Sequence, residues 1–185
     1  MDRGPTPRPA LRATLRETLT ADLGSFRETV TRLAATHGFD ADRLGTEPDT
    51  FDPPSAIGRV APPARRLVWR AWTLADAPLG VVLSGPAYRD NPVLYANRAT
   101  RRLTGYSLSE LRGENLRQLQ GPDTGRATVA DLRDATRSWD GITVELCNYR
   151  ADGTSFTNRV SLVPVPDATG TVEHWFGLQA AVPEG

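Results

Sequence analysis

Residues 113–124 read Gly-Glu-Asn-Leu-Arg-Gln-Leu-Gln-Gly-Pro-Asp-Thr, and the rest of the chain is arranged around this stretch. Two short runs of β-branched and aromatic residues precede it, at Leu79–Ser84 and Val93–Ala96, with turn residues between them. Three longer runs follow it: Thr143–Arg150, Ser155–Pro164 and Thr171–Val182. We therefore expect a five-stranded antiparallel sheet.

Short helices are predicted between the second and third strands. They are Arg98–Leu103, Ser107–Leu111 and Thr128–Arg137. Ser107 and Glu110 have the spacing of a capping box, which marks the start of a helix. The last three strands are joined by Ala151–Thr154 and Asp167–Gly170, both of which are favourable hairpin turns. The pattern predicts an α+β fold with short helices on one face of the sheet.

The N-terminal part of the chain has a different character. Residues 1–9 contain three prolines and predict a disordered arm. Residues 10–75 predict a helical extension, ahead of a sheet domain at residues 76–182. Within the extension, residues 45–63 contain five prolines and predict a linker, and residues 64–75 predict a helix.

Apolar side chains recur every three or four residues at the start of this extension. They are Leu11, Leu15, Leu19, Leu23, Phe26, Val30 and Leu33. The repeat predicts two helices, at about residues 10–23 and 26–36. Ser25 and Glu28 have capping-box spacing, and Gly38 is a suitable C-terminal stop.

A helical hairpin this short buries too little surface to be stable alone, so its apolar stripe needs a partner. We expect it to cap the sheet or to pack against a second copy of the chain, as a homodimer. A helix-turn-helix that binds DNA is disfavoured, because Glu17, Asp22 and Glu28 offset the arginines and leave no basic face.

The composition of the 185 residues fits a globular protein, with 39% hydrophobic and 24% charged residues. A net charge of zero gives no bulk attraction to nucleic acid or to a membrane surface. A single cysteine, Cys147, excludes an internal disulfide and fits a reducing compartment. No apolar run is long enough to span a membrane, and the start lacks a signal peptide's apolar core. We expect a cytoplasmic protein without membrane or direct nucleic-acid partners.

Residues 113–121 resemble the flavin-contacting segment of light-oxygen-voltage (LOV) domains, the blue-light branch of the PAS superfamily, which reads G-x-N-C-R-F-L-Q-G. Seven of the nine positions fit. Further blocks extend the resemblance over about residues 75–182: Ala77–Val82, Asp90–Tyr95, Leu103–Ser107, Asn148–Gly153, Phe156–Asn158 and Phe176–Gln179. The resemblance implies a PAS/LOV fold.

Two positions of the motif depart from the family. Gln118 replaces a Phe, and Leu116 replaces the cysteine that forms a covalent adduct with the flavin. Leu116 has no sulfur nucleophile, so that photochemistry is lost. Cys147 is not a substitute, because strand residues alternate faces: if Asn148 points into a pocket, Cys147 points away from it. We expect Cys147 to be buried beneath the N-terminal helices.

The resemblance implies eight flavin-contacting positions: Asn115, Leu116, Arg117, Gln120, Arg133, Asn148, Asn158 and Gln179. Asn148 and Asn158 correspond to the amides at the pyrimidine edge, and an amide suits this edge because it both donates and accepts. Gln179 corresponds to the glutamine beside flavin N5 and O4. The remaining polar residues correspond to contacts with the ribityl chain and phosphate. The segment between the two arginines is short, which favours FMN over FAD.

The function implied is that of a short, cysteine-less LOV sensor, which signals blue light by photoreduction of its flavin to the semiquinone. Trp139, Tyr149 and Trp175 are candidate electron donors. The chain stops three residues after Val182, so we expect output through the N-terminal helices to an unknown downstream protein. The alternatives are a light-independent redox-sensing flavoprotein and a cofactor-free PAS dimerisation module. No metal or enzyme signature is present, so we expect no catalytic activity.

Overall fold

The structure is a computed structural model that describes residues 8–183. Its helices are α1 (Arg8–Thr18), α2 (Leu23–His37), α3 (Arg65–Thr73), α4 (Arg98–Thr104), α5 (Leu108–Leu111) and α6 (Arg126–Ser138). Its strands are β1 (Gly80–Ser84), β2 (Val93–Ala96), β3 (Ile142–Tyr149), β4 (Ser155–Pro166) and β5 (Val172–Ala181). The strands form one antiparallel sheet in the order β2-β1-β5-β4-β3. The predicted α+β fold with five antiparallel strands is confirmed.

The last strand lies at the centre of the sheet, between β1 and β4. Alternation along β5 divides its side chains between the two faces. Trp175 and Gln179 lie on the inner face, beside a cavity, and helix α6 packs over the same face at β3. Phe176 and Leu178 are fully buried on the outer face, in one cluster with side chains of α1, α2 and α3. Helices therefore cover both faces, and the N-terminal extension provides the outer cover.

The apolar stripe of the extension is buried within its own chain. Six of its seven members are buried: Leu11, Leu15, Leu19, Phe26, Val30 and Leu33. Only Leu23 is exposed, at 37%. Fully burying one such side chain is worth roughly 1.5–3 kcal/mol, so the extension is an integral part of the fold. Of the two expected partners of the stripe, the sheet is therefore the one that the structure shows.

Several boundaries at the N-terminal end differ from expectation. Helix α1 starts at Arg8, so the predicted disordered arm is wrong for residues 8 and 9; residues 1–7 lie outside the described part of the chain. Proline is tolerated in a first helical turn, where its missing N–H has no partner to lose.

Helix α2 starts three residues earlier than predicted, because Asp22 caps it. The Asp22 carboxylate accepts a hydrogen bond from the Ser25 backbone N–H at 3.0 Å, so the predicted box at Ser25 and Glu28 is wrong. Aspartate is as good an N-cap as serine, and it stands earlier in the sequence. The stop at Gly38, with φ of 69°, is confirmed, as is the capping box of Ser107 and Glu110.

The proline-rich stretch predicted as a linker is packed rather than loose. Phe51 and Ile57 are buried, and the rings of Phe51 and Trp72 lie 4.9 Å apart. The segment just before this stretch is tied to the sheet domain, since Asp76 pairs with Arg43 at 2.7 Å and with Arg98. Burial opposes the charge on Asp76, but its two arginine partners outweigh this and hold its pKa below the ordinary value.

Within residues 8–183, no helix combines the length and apolar character needed to cross a membrane.

Candidate functional site

A cavity of about 320 Å³ lies between the inner face of the sheet, helix α6 and the segment that carries Leu116. All eight predicted contact positions line it: Asn115, Leu116, Arg117, Gln120, Arg133, Asn148, Asn158 and Gln179. They come from three strands, one helix and one loop. The sequence motif therefore brings together a single site, although its members are up to 64 positions apart.

Three linked amides form the polar floor of the cavity. Asn158 on β4 is fully buried, and its Nδ2 donates to Asn148 Oδ1 on β3 and to Gln179 Oε1 on β5, each at 2.9 Å. Asn158 lies opposite Leu146 and Ala181 in the two strand pairings. Its two partners are therefore diagonal neighbours on the same face, within reach of a long side chain.

This arrangement leaves two polar atoms at the cavity without partners among the described residues. They are Asn158 Oδ1, an acceptor, and Gln179 Nε2, a donor. A buried polar group left unpaired costs roughly 1–3 kcal/mol, so these atoms call for a ligand. A ligand edge that offers one donor and one acceptor would satisfy both. The pyrimidine edge of a flavin has an N3–H donor next to the O4 acceptor, so the residues present fit that group.

Leu116 stands in a short 3-10 turn, Leu116–Leu119, whose start is fixed by Asn115. The Asn115 Oδ1 accepts from the Arg117 backbone N–H at 2.8 Å, and its Nδ2 donates to the Asp90 carbonyl at 2.8 Å. Leu116 both lines the cavity and packs against the hydrophobic core. No cysteine or methionine is among the described residues that line the cavity, so its wall offers no sulfur.

Positive charge lies at the open end of the cavity. Arg117 and Arg133 are both exposed, and Arg133 lies on helix α6. Arg117 forms an ion pair with Asp90, which also lines the cavity. Asp90 has a left-handed backbone, with φ of 66°. Sequence reasoning did not single out Asp90, although it belongs to one of the blocks that carry the resemblance.

Only one of the three candidate electron donors lines the cavity. Trp175 does so and is 3% exposed. Trp139 is the C-terminal cap that follows helix α6 and is 48% exposed. The Tyr149 hydroxyl donates to Asp123 at 2.7 Å, a bond that raises the pKa of Tyr149, and its ring packs against Gly121 outside the cavity lining. The structure therefore favours Trp175 alone.

Cys147 is not among the residues that line the cavity, which agrees with its expected outward direction. The expectation that it is buried beneath the N-terminal helices is wrong, because it is only partly buried. Helix α1 reaches β3 at Thr143 instead, through an Arg16 contact of 3.4 Å.

Sequence reasoning missed the apolar wall of the cavity. Leu146, Val160 and Leu162 line it from β3 and β4, and Leu132 lines it from α6. Strand alternation was the available signal, because these strand residues stand two or four positions from Asn148 and Asn158.

In residues 8–183, no group of three or more His, Cys, Asp or Glu side chains is placed to hold a metal ion.

Comparison with known proteins identifies the family. A model described as a PAS domain matches residues 78–179. Phototropin-1A of Oryza sativa subsp. japonica is 39% identical over 115 residues, which are 62% of this chain and 12% of that protein. This chain therefore spans only a small part of that relative.

Solved structures agree with this assignment. A light-oxygen-voltage domain studied with a flavin analogue superposes with a TM-score of 0.58 at 39% identity, covering 61% of this chain and 84% of that one. The light-state dimer of the fungal blue-light photoreceptor Vivid superposes with a TM-score of 0.54 at 30% identity, covering 57% and 78%. The chain belongs to the PAS domain family. Within it, the chain is of the light-oxygen-voltage type.

Proposed function

We propose that this chain is a blue-light sensor that binds FMN and responds without forming a cysteine adduct. The observation that carries the proposal is the pair of unpartnered atoms, Asn158 Oδ1 and Gln179 Nε2, at the floor of a cavity lined by all eight predicted contacts. Support also comes from the blue-light photoreceptors among its relatives and from the flavin analogue used with a similar domain.

Each group of cavity residues has a separate task in this proposal. Asn148 and Asn158 hold the polar edge of the ring, and the apolar wall excludes water from it. Arg117 and Arg133 hold the terminal phosphate through charge-assisted hydrogen bonds, which selects FMN over riboflavin. The bound flavin supplies absorption of blue light and acceptance of an electron, and Trp175 is the proposed donor.

Gln179 is proposed to respond to the reduction of the bound flavin. Gln179 would meet a donor on the bound ring edge by rotating its amide, so that Oε1 rather than Nε2 would face the cavity. The Asn158 hydrogen bond to Oε1 is then lost. The signal thus reaches β5, at the centre of the sheet.

The output of the sensor passes through residues 10–75, which we propose to be a regulatory extension of the sheet domain at residues 76–182. The apolar stripe is buried against the sheet, so dimerisation through the N-terminal helices requires that they first move away. The proposed result is a light-dependent homodimer or contact with a downstream protein, without catalysis by this chain. A cytoplasmic location stays a prediction.

Cofactor analysis of protein purified in the dark tests the central claim. We expect a yellow protein whose released cofactor co-elutes with FMN. FAD or riboflavin alone would contradict the FMN assignment. A protein that is colourless, and remains so after incubation with flavins, would contradict flavin binding and leave the cofactor-free dimerisation module.

A light-independent redox sensor is the second candidate, because the absence of sulfur from the described cavity wall leaves electron transfer as the flavin's chemistry. Blue light in the presence of a mild electron donor should reduce the flavin within minutes, whereas the same donor in the dark should not. Equal reduction in the dark would favour the redox sensor.

A further inference from the structure

One buried arginine connects the N-terminal extension to β5, the strand that carries Gln179. Arg12 lies on α1 and is only 7% exposed. Its Nη1 donates to the Leu178 carbonyl on β5 at 2.7 Å and to Ser161 Oγ on β4 at 3.1 Å. Helix α1 is thus joined to two neighbouring strands through one guanidinium.

The acceptor on β5 is adjacent to the cavity amide. The Leu178 carbonyl belongs to the peptide bond that joins Leu178 to Gln179. Arg12 therefore binds, from the outer face of the sheet, the same peptide group that precedes the inner-face side chain of Gln179. Ser161 pairs with Leu178 across the sheet, and its hydroxyl lies 2.8 Å from Thr143 Oγ1 on β3. Arg12 therefore contacts the backbone at the peptide group that joins Leu178 to Gln179.

The partners of Arg12 in the structure are neutral. The carboxylate of Glu145 on β3 is bonded to Arg159 at 2.7 Å. Burial, together with the charges of Arg159 and Arg16, lowers the pKa of Arg12 to about 10, so the group remains protonated at neutral pH. A buried charge held only by neutral acceptors depends on their geometry, because no ion pair within residues 8–183 compensates for its desolvation. A small tilt of one acceptor is therefore expected to weaken the binding of the Arg12 guanidinium strongly.

We propose that Arg12 is the positioning residue that couples Gln179 to helix α1. In the dark, the Leu178 carbonyl holds the guanidinium, and α1 stays on the outer face. When Gln179 rotates, that carbonyl tilts, the Arg12 contact weakens, and α1 opens more often from the sheet. This inference rests on the proposed function, since light is its input, but the Arg12 contact itself exists without flavin.

The choice of variant separates coupling from stability. Arg12→Met retains the apolar stem and removes the charge, so its effect on the dark position of α1 has no fixed sign. The discriminating quantity is the response of α1, not its resting state. Arg16→Met is the matched control, because Arg16 lies on the same helix, is exposed and makes only a 3.4 Å contact with Thr143.

Hydrogen exchange of α1 peptides, in the dark and under blue light, is the measurement. Light should raise the exchange rate of α1 about fivefold or more in the wild type and in Arg16→Met, the lower range of allosteric coupling. In Arg12→Met the flavin spectrum should change as in the wild type, while α1 exchange should not respond. Should Arg12→Met fail to fold, Ser161→Ala, which removes one acceptor, should reduce the response. An unaltered light response in the variant that folds would overturn the proposal.

A double-mutant cycle between Arg12 and Gln179 tests the same coupling without bound flavin. Gln179→Leu should change α1 exchange in the dark several-fold in the Arg12 background and have no effect in the Arg12→Met background. Additive effects would overturn the coupling. A protein that shows this cycle but never binds flavin would refute the proposed function and leave the coupling in place.

Discussion

Asn158 donates to the side-chain oxygen of Gln179 at 2.9 Å, and this bond fixes which end of each amide faces the cavity. The second Asn158 hydrogen goes to Asn148 at the same distance. The three amides on adjacent strands therefore form one chain with a single consistent orientation. Rotation of Gln179, as proposed for signalling, would break this order and alter a side-chain hydrogen bond of β5.

Asn158→Leu should weaken flavin binding by roughly 5-fold to 150-fold. The substitution removes the donor to Asn148 and Gln179 and leaves both amide oxygens unpaired, at a cost of roughly 1–3 kcal/mol; each 1.4 kcal/mol lost from binding is about tenfold in affinity. Titration of cofactor-free protein with FMN, followed by flavin fluorescence, measures it. Affinity equal to that of the wild type would show that the amide floor does not bind the ring.

Asn97→Ala is the control for this variant. Asn97 is also fully buried, but its amide donates to the Leu74 and Leu79 carbonyls, and it is not among the residues that line the cavity. The variant should unfold at a lower temperature, while its folded fraction binds FMN with unchanged affinity. The comparison separates loss of a ligand contact from general loss of stability.

Arg133→Ala should reduce the preference for FMN over riboflavin by roughly tenfold, because a hydrogen bond to a charged group is worth about 1.5–3 kcal/mol and this one is exposed. Arg117→Ala should act in the same direction but less, since Arg117 already pairs with Asp90. The ratio of the two dissociation constants is the measurement, and Arg126→Ala, on the same helix but absent from the cavity lining, is the control. An unchanged ratio for Arg133→Ala would place the phosphate elsewhere.

Trp175→Phe should slow photoreduction several-fold while preserving flavin binding. Phenylalanine keeps an apolar ring at this cavity position but is a much poorer electron donor than indole. Trp139→Phe and Tyr149→Phe serve as controls, because neither residue lines the cavity. The rate of loss of the flavin absorption band is compared under constant blue light, with the same external electron donor present to reduce the oxidised side chain. An equal rate in all four proteins would exclude Trp175 as the principal donor.

The sequence predicted the sheet and the members of the site more accurately than it predicted the N-terminal extension. Strand alternation and turn residues act locally, so they defined β1 to β5 within one or two residues at most ends. The site residues were found because a motif preserves their spacing. Neither signal reveals partners distant in sequence. The burial of Leu11 against the sheet, and of Phe51 against Trp72, depends on tertiary contacts that no local pattern encodes.

Polar contacts made by the extension show the same limit. Nothing around Arg12 in the sequence indicates that it binds a carbonyl 166 positions away. The sequence alone does not identify Asp22 as the N-cap of α2, because Ser25 and Glu28 have the spacing of a capping box. Where two local patterns compete, the tertiary environment selects between them.

Asp76→Asn should destabilise the protein by roughly 1–2 kcal/mol at neutral pH, because Asp76 is bonded to Arg43 and Arg98 and is mostly buried. The pKa of Asp76 is lowered in the folded state, so its stabilisation is complete above the ordinary aspartate pKa of about 3.9 and is lost as the pH falls through the folded value. The difference in unfolding free energy between the two proteins should therefore be constant from pH 7 to about 5 and shrink below about 4.

Asp49→Asn is the matched control for Asp76, since the Asp49 pair with Arg66 is largely exposed. Exposed pairs contribute about 0–1 kcal/mol, so this variant should lie close to the wild type at every pH. Denaturant titrations at several pH values provide both curves. A difference for Asp76→Asn that grows at low pH would have the wrong sign for a carboxylate with a lowered pKa.

Leu116→Cys should restore adduct formation. Leu116 lines the cavity from a turn that Asn115 holds in place, so a thiol at this position would face the ring from an otherwise intact segment. A sulfur nucleophile is the one missing component of that reaction. Blue light should then replace the visible flavin bands with a single near-ultraviolet band, and the visible bands should return in the dark. The wild type should show neither change without an electron donor.

Leu116→Ser is the control for the adduct, because serine has nearly the shape of cysteine but lacks the sulfur. It should bind flavin as Leu116→Cys does and form no near-ultraviolet band. Combining Leu116→Cys with Cys147→Ala should leave the adduct unchanged, because Cys147 does not line the cavity. If Leu116→Cys binds flavin and behaves like the wild type under light, residue 116 does not face the reactive side of the ring. The neighbouring Gln118 replaces the family's Phe, and its buried Nε2 has no partner in the described part of the chain, so it would then be the first position to revert.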